Sequence, residues 1–325
     1  MLPVIDNQYF SDKLALSFHR RRSVLPNETT AYRGVHGGHD LLPALEIDHF
    51  CSSFSRIRCS NRVGERLLPI AAEFLQERGA EVLLISSPSI PTHRLSLVKS
   101  SMPEAKPYYQ EDSIQYLWDG HEYSNSDAAQ ASHRWYLDLA FRRARLMVRN
   151  IAAGKKCLCL GDTAAGMALN ACLQAEHVCV VEENAGYRKW VRQNIAFNHG
   201  TRIFDSKISL HSSLHSVVGG DSPAPPPSLF DIITVEVIGS ADDDLLQKFV
   251  RVAAAGAKLI VQFTGTSSDA VALTQSVGRV SLQHGRSACK VNELSSSSID
   301  FPTHTLAALV DSSSNSASIF TFLID

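Results

Sequence analysis

The stretch that most constrains the fold is residues 155–190, KKCLCLGDTAAGMALNACLQAEHVCVVEENAGYRKW. The apolar run at residues 157–160 is too short for a helix and predicts a buried parallel strand. Helix formers fill residues 167–175, and the β-branched run at residues 178–181 predicts a second strand. We therefore expect a βαβ unit, with its first turn at the carboxyl end of a strand, where ligands bind in open α/β sheets.

That turn consists of small residues, which let backbone N–H groups and a helix N-terminus approach a ligand closely. It reads Gly161, Asp162, Thr163, Ala164, Ala165 and Gly166. Glu182 or Glu183 follows the second strand, about 20 residues after the turn, where an acid commonly binds ribose hydroxyls. The segment therefore predicts an adenosine-containing ligand. Thr163 replaces the middle glycine of G-x-G-x-x-G, so a turn that is small only for helix–strand packing is the alternative.

The α/β alternation continues through the rest of the chain. Strands are predicted at residues 207–211, 230–237 and 257–263, and helices at 186–198 and 245–254. Strands at 305–310 and 319–324 are separated only by residues 311–318, too few for a helical crossover, so we expect them to pair antiparallel. A parallel Rossmann-like sheet with a C-terminal antiparallel hairpin is the layout of class I methyltransferase domains. It differs from the nicotinamide-binding fold, whose second half is all parallel.

A smaller α+β region precedes this core. Helices are predicted at residues 10–25 and 66–78, strands at 80–86, 94–99 and 114–118 with a hairpin turn at Asp119-Gly120, and a further helix at 130–150. We therefore divide the chain into an N-terminal domain, residues 1–125, and a Rossmann-like domain, residues 126–325. The basic run His19-Arg20-Arg21-Arg22 is a candidate phosphate or carboxylate contact, with a solvated basic face as the alternative.

Charge and cysteine content narrow the function classes. The net charge of -2 and the pI near 6.7 make tight non-specific nucleic-acid binding unexpected. No apolar run is long enough for a membrane span, and no secretory signal is visible at the N-terminus. Seven cysteines, an odd number, indicate a reducing, cytoplasmic setting. Histidines and cysteines show no established ligand spacing, so no metal is predicted.

The order of parts resembles the spermidine synthase branch of the class I S-adenosylmethionine (SAM)-dependent fold. Residues 95–99, then 116–120 (YLWDG), then a predicted helix at 126–139 holding His133 follow that family's order, over roughly residues 90–270. The resemblance implies that SAM or a derivative is the cofactor and that His133 faces the substrate. It also places Tyr123 where a cofactor-contacting residue is expected.

The same resemblance assigns roles at the strand ends. Glu182 matches the ribose-binding acid, and Ser212 or Ser213 takes the adenine-side position. Glu236 stands where the family has the aspartate that deprotonates the substrate amine. Other family positions differ, since Ala164 replaces the amine-binding aspartate.

A second resemblance is to RNA methyltransferases with a Y-L-D-x-R segment before the core. Residues 136–138 (YLD), with Arg142 or Arg143, and the helix end holding Asn194 and Asn198 are similar to that family. The D-P-P-type motif after the fourth strand and a cysteine after the fifth are absent from the sequence.

Methyl or other alkyl transfer from a sulfonium depends mainly on alignment of the reactants, helped by a carboxylate that takes the acceptor's proton. Glu236 is the candidate base, and Asp242 is a candidate contact for a cationic substrate. Trp135, Tyr136 and Tyr123 are candidate cation–π partners, with helix packing as their alternative.

We therefore expect a SAM-dependent transferase acting on a small amine-type metabolite. Three alternatives stay open: a degenerate member acting as a scaffold or regulatory subunit, an RNA methyltransferase, and a nicotinamide-dependent enzyme. A homodimer is one option for assembly, and neither nucleic acid nor membrane is an expected partner.

Overall fold

The computed structural model describes residues 7–42, 44–51, 54–89, 93–96, 108–117, 139–162, 164–218, 229–239, 242–295 and 316–325. Two compact units divide them, one made of the described residues up to Leu139 and the other of those from Ala140 onward. The predicted boundary at residue 125 lies outside the described residues and stays a prediction.

The N-terminal unit contains a five-stranded sheet in the order β1-β2-β3-β4-β5, antiparallel except for the parallel pair β3 and β4. A separate antiparallel hairpin joins β6 to β7. The elements are α1 (Asn7–Arg22), β1 (Tyr32–His36), β2 (Leu45–Cys51), β3 (Phe54–Cys59), α2 (Arg62–Glu77), β4 (Val82–Ser86), β5 (His93–Ser96), β6 (Tyr108–Glu111) and β7 (Ile114–Leu117), with a short 3-10 turn at Gly37–Asp40.

Helix α2 shows why these residues fold as they do. Asn61 caps its start by accepting hydrogen bonds from the N–H groups of Val63 and Gly64. Apolar residues at helical spacing, including Leu67 and Phe74, pack with the inner face of the sheet. The predicted helix at residues 66–78 is therefore confirmed, with one extra turn at its start.

Strands β1, β2 and β3 were not predicted, and each of them carries a buried charged residue: Arg33, Asp48 and Arg56. A hairpin that was not predicted joins β6 to β7, and Asp112 in its turn has a φ of 52°. The strand predicted at residues 94–99 begins as expected and pairs with β4 rather than entering that hairpin. Asp119-Gly120 lies outside the described residues.

The C-terminal unit contains a seven-stranded sheet in the order β10-β9-β8-β11-β12-β14-β13. The first five strands in that order are parallel, and β14 runs antiparallel to both of its neighbours. Its elements are a 3-10 turn at Leu139–Phe141, α3 (Arg142–Ile151), β8 (Lys156–Leu160), α4 (Gly166–Cys172), β9 (His177–Val181), α5 (Ala185–Lys207), β10 (Ile208–His211), α6 (His215–Val218), β11 (Phe230–Ile238), α7 (Asp243–Val252), β12 (Ala253–Gly265), α8 (Ser267–Gln283), β13 (Ala288–Ser295) and β14 (Ser316–Ile324).

The predicted parallel core, with an antiparallel strand at the C-terminus, is confirmed. Strand β14 contains the predicted segment 319–324, but its described antiparallel partners are β12 and β13. The other predicted strand of that hairpin, residues 305–310, lies outside the described residues. Helix α8 and strand β13 were not predicted. Strand β13 is mostly exposed and lacks the alternating apolar residues that indicate a strand.

Packing of this unit is apolar. Leu158, Val235 and Leu259 line one face of the sheet and pack with Phe249 of α7 and Val277 of α8. No helix in the described part of the chain is both long and apolar enough to cross a bilayer.

Candidate functional site

The candidate site lies at the carboxyl edge of the parallel strands in the C-terminal unit. The N–H of Gly161 donates to the carbonyl of Val181 at 3.2 Å, and the N–H of Glu182 donates to the carbonyl of His211 at 3.1 Å. These two bonds extend the strand ladder past β8 and β9. They bring the small-residue turn, the predicted ribose-binding acid and the segment after β10 side by side.

Backbone conformation explains part of the turn's sequence. Gly161 has a φ of 67° and Ala165 a φ of 61°, and the left-handed region favours glycine. Apart from its chain neighbours, no heavy atom of the described residues lies within 4 Å of where a Cβ on Gly161 would sit. Among the described residues, none therefore fills the space beside the Gly161 backbone. The N–H of Ala165 donates to the carbonyl of Asp162 at 2.8 Å, and Gly166 begins α4.

The Asp162 carboxylate is used inside the turn. Its Oδ2 accepts a hydrogen bond from the N–H of Ala168 at 2.8 Å. Burial raises the pKa of Asp162, although the N–H groups of Ala168, Met167 and Gly166 and the charge of Arg145 act in the opposite direction. This side chain therefore satisfies the N-terminus of α4, and its predicted contact with a cofactor stays a prediction.

Asn194 on α5 holds the other side of the turn. Its amide is fully buried and donates from Nδ2 to the carbonyl of Ala164 at 3.2 Å. Asn170 similarly donates to the carbonyl of Gly166 at 2.8 Å and accepts from Nε of Arg149 at 2.9 Å. In the sequence, Asn194 stands out only through its resemblance to a family of RNA methyltransferases. A polar amide on the buried face of an amphipathic helix was the signal for its positioning role.

Glu182 is buried, whereas Glu183 is exposed. Oε1 of Glu182 accepts a hydrogen bond from the N–H of Asn184 at 2.9 Å, and Asn184 in turn caps α5 by accepting from the N–H of Gly186 at 2.8 Å. The backbone therefore holds the Glu182 carboxylate at the strand edge. Of the two predicted acids, Glu182 is the one that the fold positions.

Glu236 lies at the same edge. In β11, Val235 is opposite Leu160, the last residue of β8, and Glu236 is one residue further along. Its other neighbour is Gln262 of β12. The Glu236 side chain is exposed, between the buried Val235 and Val237 that face the opposite side of the sheet. The predicted base is therefore exposed to solvent near the carboxyl end of β11, the strand that pairs with β8.

Ser213 and Asp242 occupy the loops after β10 and β11, and both side chains are used as caps. Ser213 Oγ accepts from the N–H of Ser216 at 3.3 Å. Asp242 Oδ1 accepts from the N–H of Asp244 at 3.0 Å, at the start of α7. These bonds fix the loop conformations. Direct contacts of either side chain with a ligand stay predictions.

Five predicted site residues lie outside the described residues, and their assigned roles stay predictions. They are Thr163, Tyr123, His133, Trp135 and Tyr136.

In the part of the chain that the structure describes, this edge has neither a thiolate nor a group of metal-ligating side chains. All seven cysteines are free, and Cys157 and Cys159 are buried within β8. Burial raises the pKa of Cys157 to about 12 and that of Cys159 well above its ordinary value, so both thiols stay protonated. Within the described ranges, no three histidines, cysteines or acidic residues group as metal ligands.

Comparison with solved structures gives the class of fold. A protein from Streptococcus mutans, provisionally described as a SAM-dependent methyltransferase, aligns with a TM-score of 0.74 at 16% identity, over 99% of this chain and 83% of that chain. A SAM-dependent methyltransferase from Agrobacterium tumefaciens aligns at 0.58 and 11% identity, over 92% and 90%. The tRNA m1G37 methyltransferase of M. jannaschii aligns at 0.54 and 10% identity, over 84% and 73%. No protein-family model and no curated protein sequence matches the chain.

The fold is therefore that of the class I SAM-dependent methyltransferases, as the predicted strand order indicated. At these identities the likeness concerns the fold alone. The compared structures do not support the spermidine synthase branch that the sequence resembled, since those reported above are described as methyltransferases, one of them a tRNA methyltransferase.

Proposed function

We propose that this chain is a SAM-dependent methyltransferase and that its acceptor is RNA. The main support for methyl transfer is that three groups lie together at the carboxyl edge of the parallel sheet. The positive-φ turn at Gly161 follows β8, the buried Glu182 carboxylate follows β9, and the exposed Glu236 lies near the carboxyl end of β11; these three parallel strands are adjacent. Cofactor at the first two positions and acceptor at the third would place the reactants beside each other.

The residues at this edge fit an adenosyl cofactor. No described residue fills the space beside Gly161, which suits a ligand against the backbone, and Glu182 offers acceptor oxygens suited to ribose hydroxyls. A related structure of the same fold was solved in complex with S-adenosylhomocysteine, which supports the cofactor assignment. Bound SAM supplies a methyl group already activated by the sulfonium charge.

The chain's own contribution to the transfer is positioning and proton removal. Asn194 and Asn170 fix the turn through its carbonyls, so the cofactor-binding backbone is preorganised. Glu236 is the proposed general base, taking the proton from the acceptor atom as that atom forms its bond to the methyl carbon. Buried, protonated Cys157 and Cys159 do not serve as nucleophiles, so the transfer is proposed to be direct.

RNA is preferred over the small amine that the sequence suggested. Among structures of this fold are Trm5b from Pyrococcus abyssi and the TYW2 protein of P. horikoshii, in addition to the tRNA methyltransferase reported above. Helix α3 also carries four arginines in ten residues, RRARLMVRNI. Arg145 is buried, but the partly exposed Arg142, Arg143 and Arg149 form a local concentration of charge that the net value of -2 conceals. Such a segment suits a polyanion, because phosphate contacts dominate nucleic-acid affinity.

A non-catalytic scaffold is the second candidate. Asp162 favours it, because the turn's own carboxylate already occupies the N-terminus of α4.

The deciding experiment follows a labelled methyl group from SAM into total RNA or into a pool of small amines. We expect label in RNA, and we expect Glu236→Gln to lower the rate by about 10²–10⁴-fold, the usual contribution of a general base. SAM affinity should stay at the wild-type value. The matched control is Glu176→Gln, at an exposed position before β9.

Label in the amine pool alone would return the acceptor to a small metabolite. No label in either pool, with SAM still bound, would establish the scaffold.

A further inference from the structure

A cavity lies within the N-terminal unit. Its volume is about 320 Å³. Small-molecule pockets span about 300–1,000 Å³, so this one suits a ligand at the small end of that range. It lies between α1, the first two strands and the end of α2, and its lining residues are Ala15, Phe18, His19, Arg22, Tyr32, His49 and Arg78.

Three aromatic rings form one wall of the cavity. The ring centroids of Phe18 and Tyr32 are 6.0 Å apart, those of Phe18 and His49 are 6.0 Å apart, and those of Tyr32 and His49 are 5.2 Å apart. Phe18 is buried, while Tyr32 and His49 are partly exposed toward the cavity. Such a wall suits a planar aromatic group, which gains from contact with ring faces and edges.

Two guanidinium groups stand at the rim. Arg22 donates to three backbone carbonyls, those of Pro26, Asn27 and Thr29. The Arg78 guanidinium lies 4.0 Å from the centroid of the Phe74 ring. Within the described residues, neither arginine has a carboxylate at ion-pair distance. Carbonyls and a ring therefore hold both cations in place without neutralising them.

The charges of this cavity are positive and fixed. Burial, followed by the charges of Arg22 and Arg78, lowers the pKa of His49 to about 4, so its imidazole is neutral at pH 7. Burial raises the pKa of Tyr32, with the same two arginines opposing the shift, so the phenol is neutral as well. A ligand would therefore meet a neutral aromatic wall and a cationic rim.

We propose that this cavity binds one nucleotide unit, with its base against Phe18, Tyr32 and His49 and its phosphate against Arg22 and Arg78. A planar ring joined to an anion through a short spacer matches the two surfaces together, whereas inorganic phosphate uses only the rim. The nucleotide is either a residue of an RNA strand or a free nucleoside monophosphate. This inference does not depend on the proposed methyl transfer, because it concerns a different unit of the chain.

The test is a calorimetric titration of the full chain with nucleoside monophosphates, the corresponding nucleosides, inorganic phosphate, phosphotyrosine and a short single-stranded RNA. We expect nucleoside monophosphates to bind more tightly than either nucleoside or phosphate alone. Arg78→Gln should weaken that binding about tenfold, the value of a charge-assisted hydrogen bond. Arg66→Gln is the matched control, because Arg66 is exposed on α2, the helix that ends just before Arg78, and does not line the cavity.

Arg78→Lys keeps the charge and should retain more affinity than Arg78→Gln, which separates a lost contact from a lost fold. If RNA binds over tenfold more tightly than the monophosphate, and Arg78→Gln abolishes this difference in affinity, the natural ligand is a nucleotide within an RNA strand. If RNA and the monophosphate bind with equal affinity, the natural ligand is the free nucleotide. Absence of monophosphate binding, equal affinity in Arg78→Gln and Arg66→Gln, or a preference for phosphotyrosine would overturn the proposal. SAM binding in the same samples is expected to be unaffected by all three variants.

Discussion

The two large sheets of this protein place charge in opposite ways. Across β1, β2 and β3, charged side chains stand directly opposite one another and are buried: Arg33 is opposite Asp48, and Asp48 is opposite Arg56. Nε of Arg33 lies 2.8 Å from Asp48, which also pairs with Arg56. The seven-stranded sheet instead carries Cys157, Val178 and similar residues inside, and the acids Glu182 and Glu236 stand at its carboxyl edge.

This difference shows two ways to fix the register of a strand. In the N-terminal sheet, a slip by one residue would move Asp48 to the other face and leave buried arginines unpaired, so charge specifies the pairing. In the parallel sheet the apolar faces and the crossover helices set the register. Its strand ends therefore remain available for acids with a chemical role.

Removing the central carboxylate should give the largest effect. Asp48→Ala leaves Arg33 and Arg56 buried without their shared partner, and we expect a loss of about 3–5 kcal/mol in the free energy of unfolding. The control is Asp231→Ala in the parallel sheet. Asp231 is about one-third exposed and accepts from the N–H of Lys156, so it should cost about 1 kcal/mol. Denaturant unfolding measures both, and equal losses would remove the distinction between the sheets.

The turn of the candidate site should be less sensitive. Asn194→Ala leaves the Ala164 carbonyl without its side-chain donor, and we expect a loss of about 1–3 kcal/mol. SAM affinity should fall with it, because the turn loses its brace. Asn150→Ala, at an exposed position of α3, is the control and should stay within about 0.5 kcal/mol. Unchanged stability and SAM affinity in Asn194→Ala would show that the amide does not position the turn.

A fall in pH should change the stability contributions of Glu46 in the N-terminal sheet and Asp162 at the candidate site in opposite directions. Burial alone would raise the pKa of Glu46, but the charges of Arg58, Arg33 and His36 outweigh it and lower the pKa to about 2. The stability that Glu46 contributes is therefore present above pH 4.5, its ordinary value, and is lost as the pH falls toward 2. Burial raises the pKa of Asp162, so its cost to folding grows as the pH rises through that raised pKa.

Unfolding free energies of wild type, Glu46→Gln and Asp162→Asn across acidic pH measure this contrast. The advantage of wild type over Glu46→Gln should shrink as the pH falls, whereas wild type should improve relative to Asp162→Asn. A change of the same sign for both variants would contradict the assigned electrostatics.

The same contrast explains which parts of the fold could be predicted from sequence. The apolar runs of β8 and β9 indicate buried parallel strands by themselves, without any knowledge of the residues that pack against them. The residues of β2, LEIDHFC, alternate between buried apolar positions and charged ones whose burial depends on partners in β1 and β3. No local pattern discloses such partners, so these strands were missed.

At the candidate site, residue types could be predicted but their partners could not. Gly161 and Glu182 follow from the βαβ pattern, because that pattern fixes which residues reach the carboxyl edge. Capping by Asp162 and bracing by Asn194 depend on contacts with other elements. The resemblance to the spermidine synthase branch is not supported by the compared structures, and the order of elements on which it rests is shared more widely than the residues that determine a substrate.

The most direct test of the central claim is a calorimetric titration of the chain with SAM, S-adenosylhomocysteine and NAD. The account predicts binding of the first two and none of NAD. It also predicts that Glu182→Ala loses about 1–3 kcal/mol of SAM affinity, the cost of an unpaired hydrogen bond to a charged group. Glu183→Ala, at the exposed neighbouring position, should bind as wild type does. Binding of NAD alone, or equal affinities in the wild type and Glu182→Ala, would contradict an adenosyl site at this strand edge.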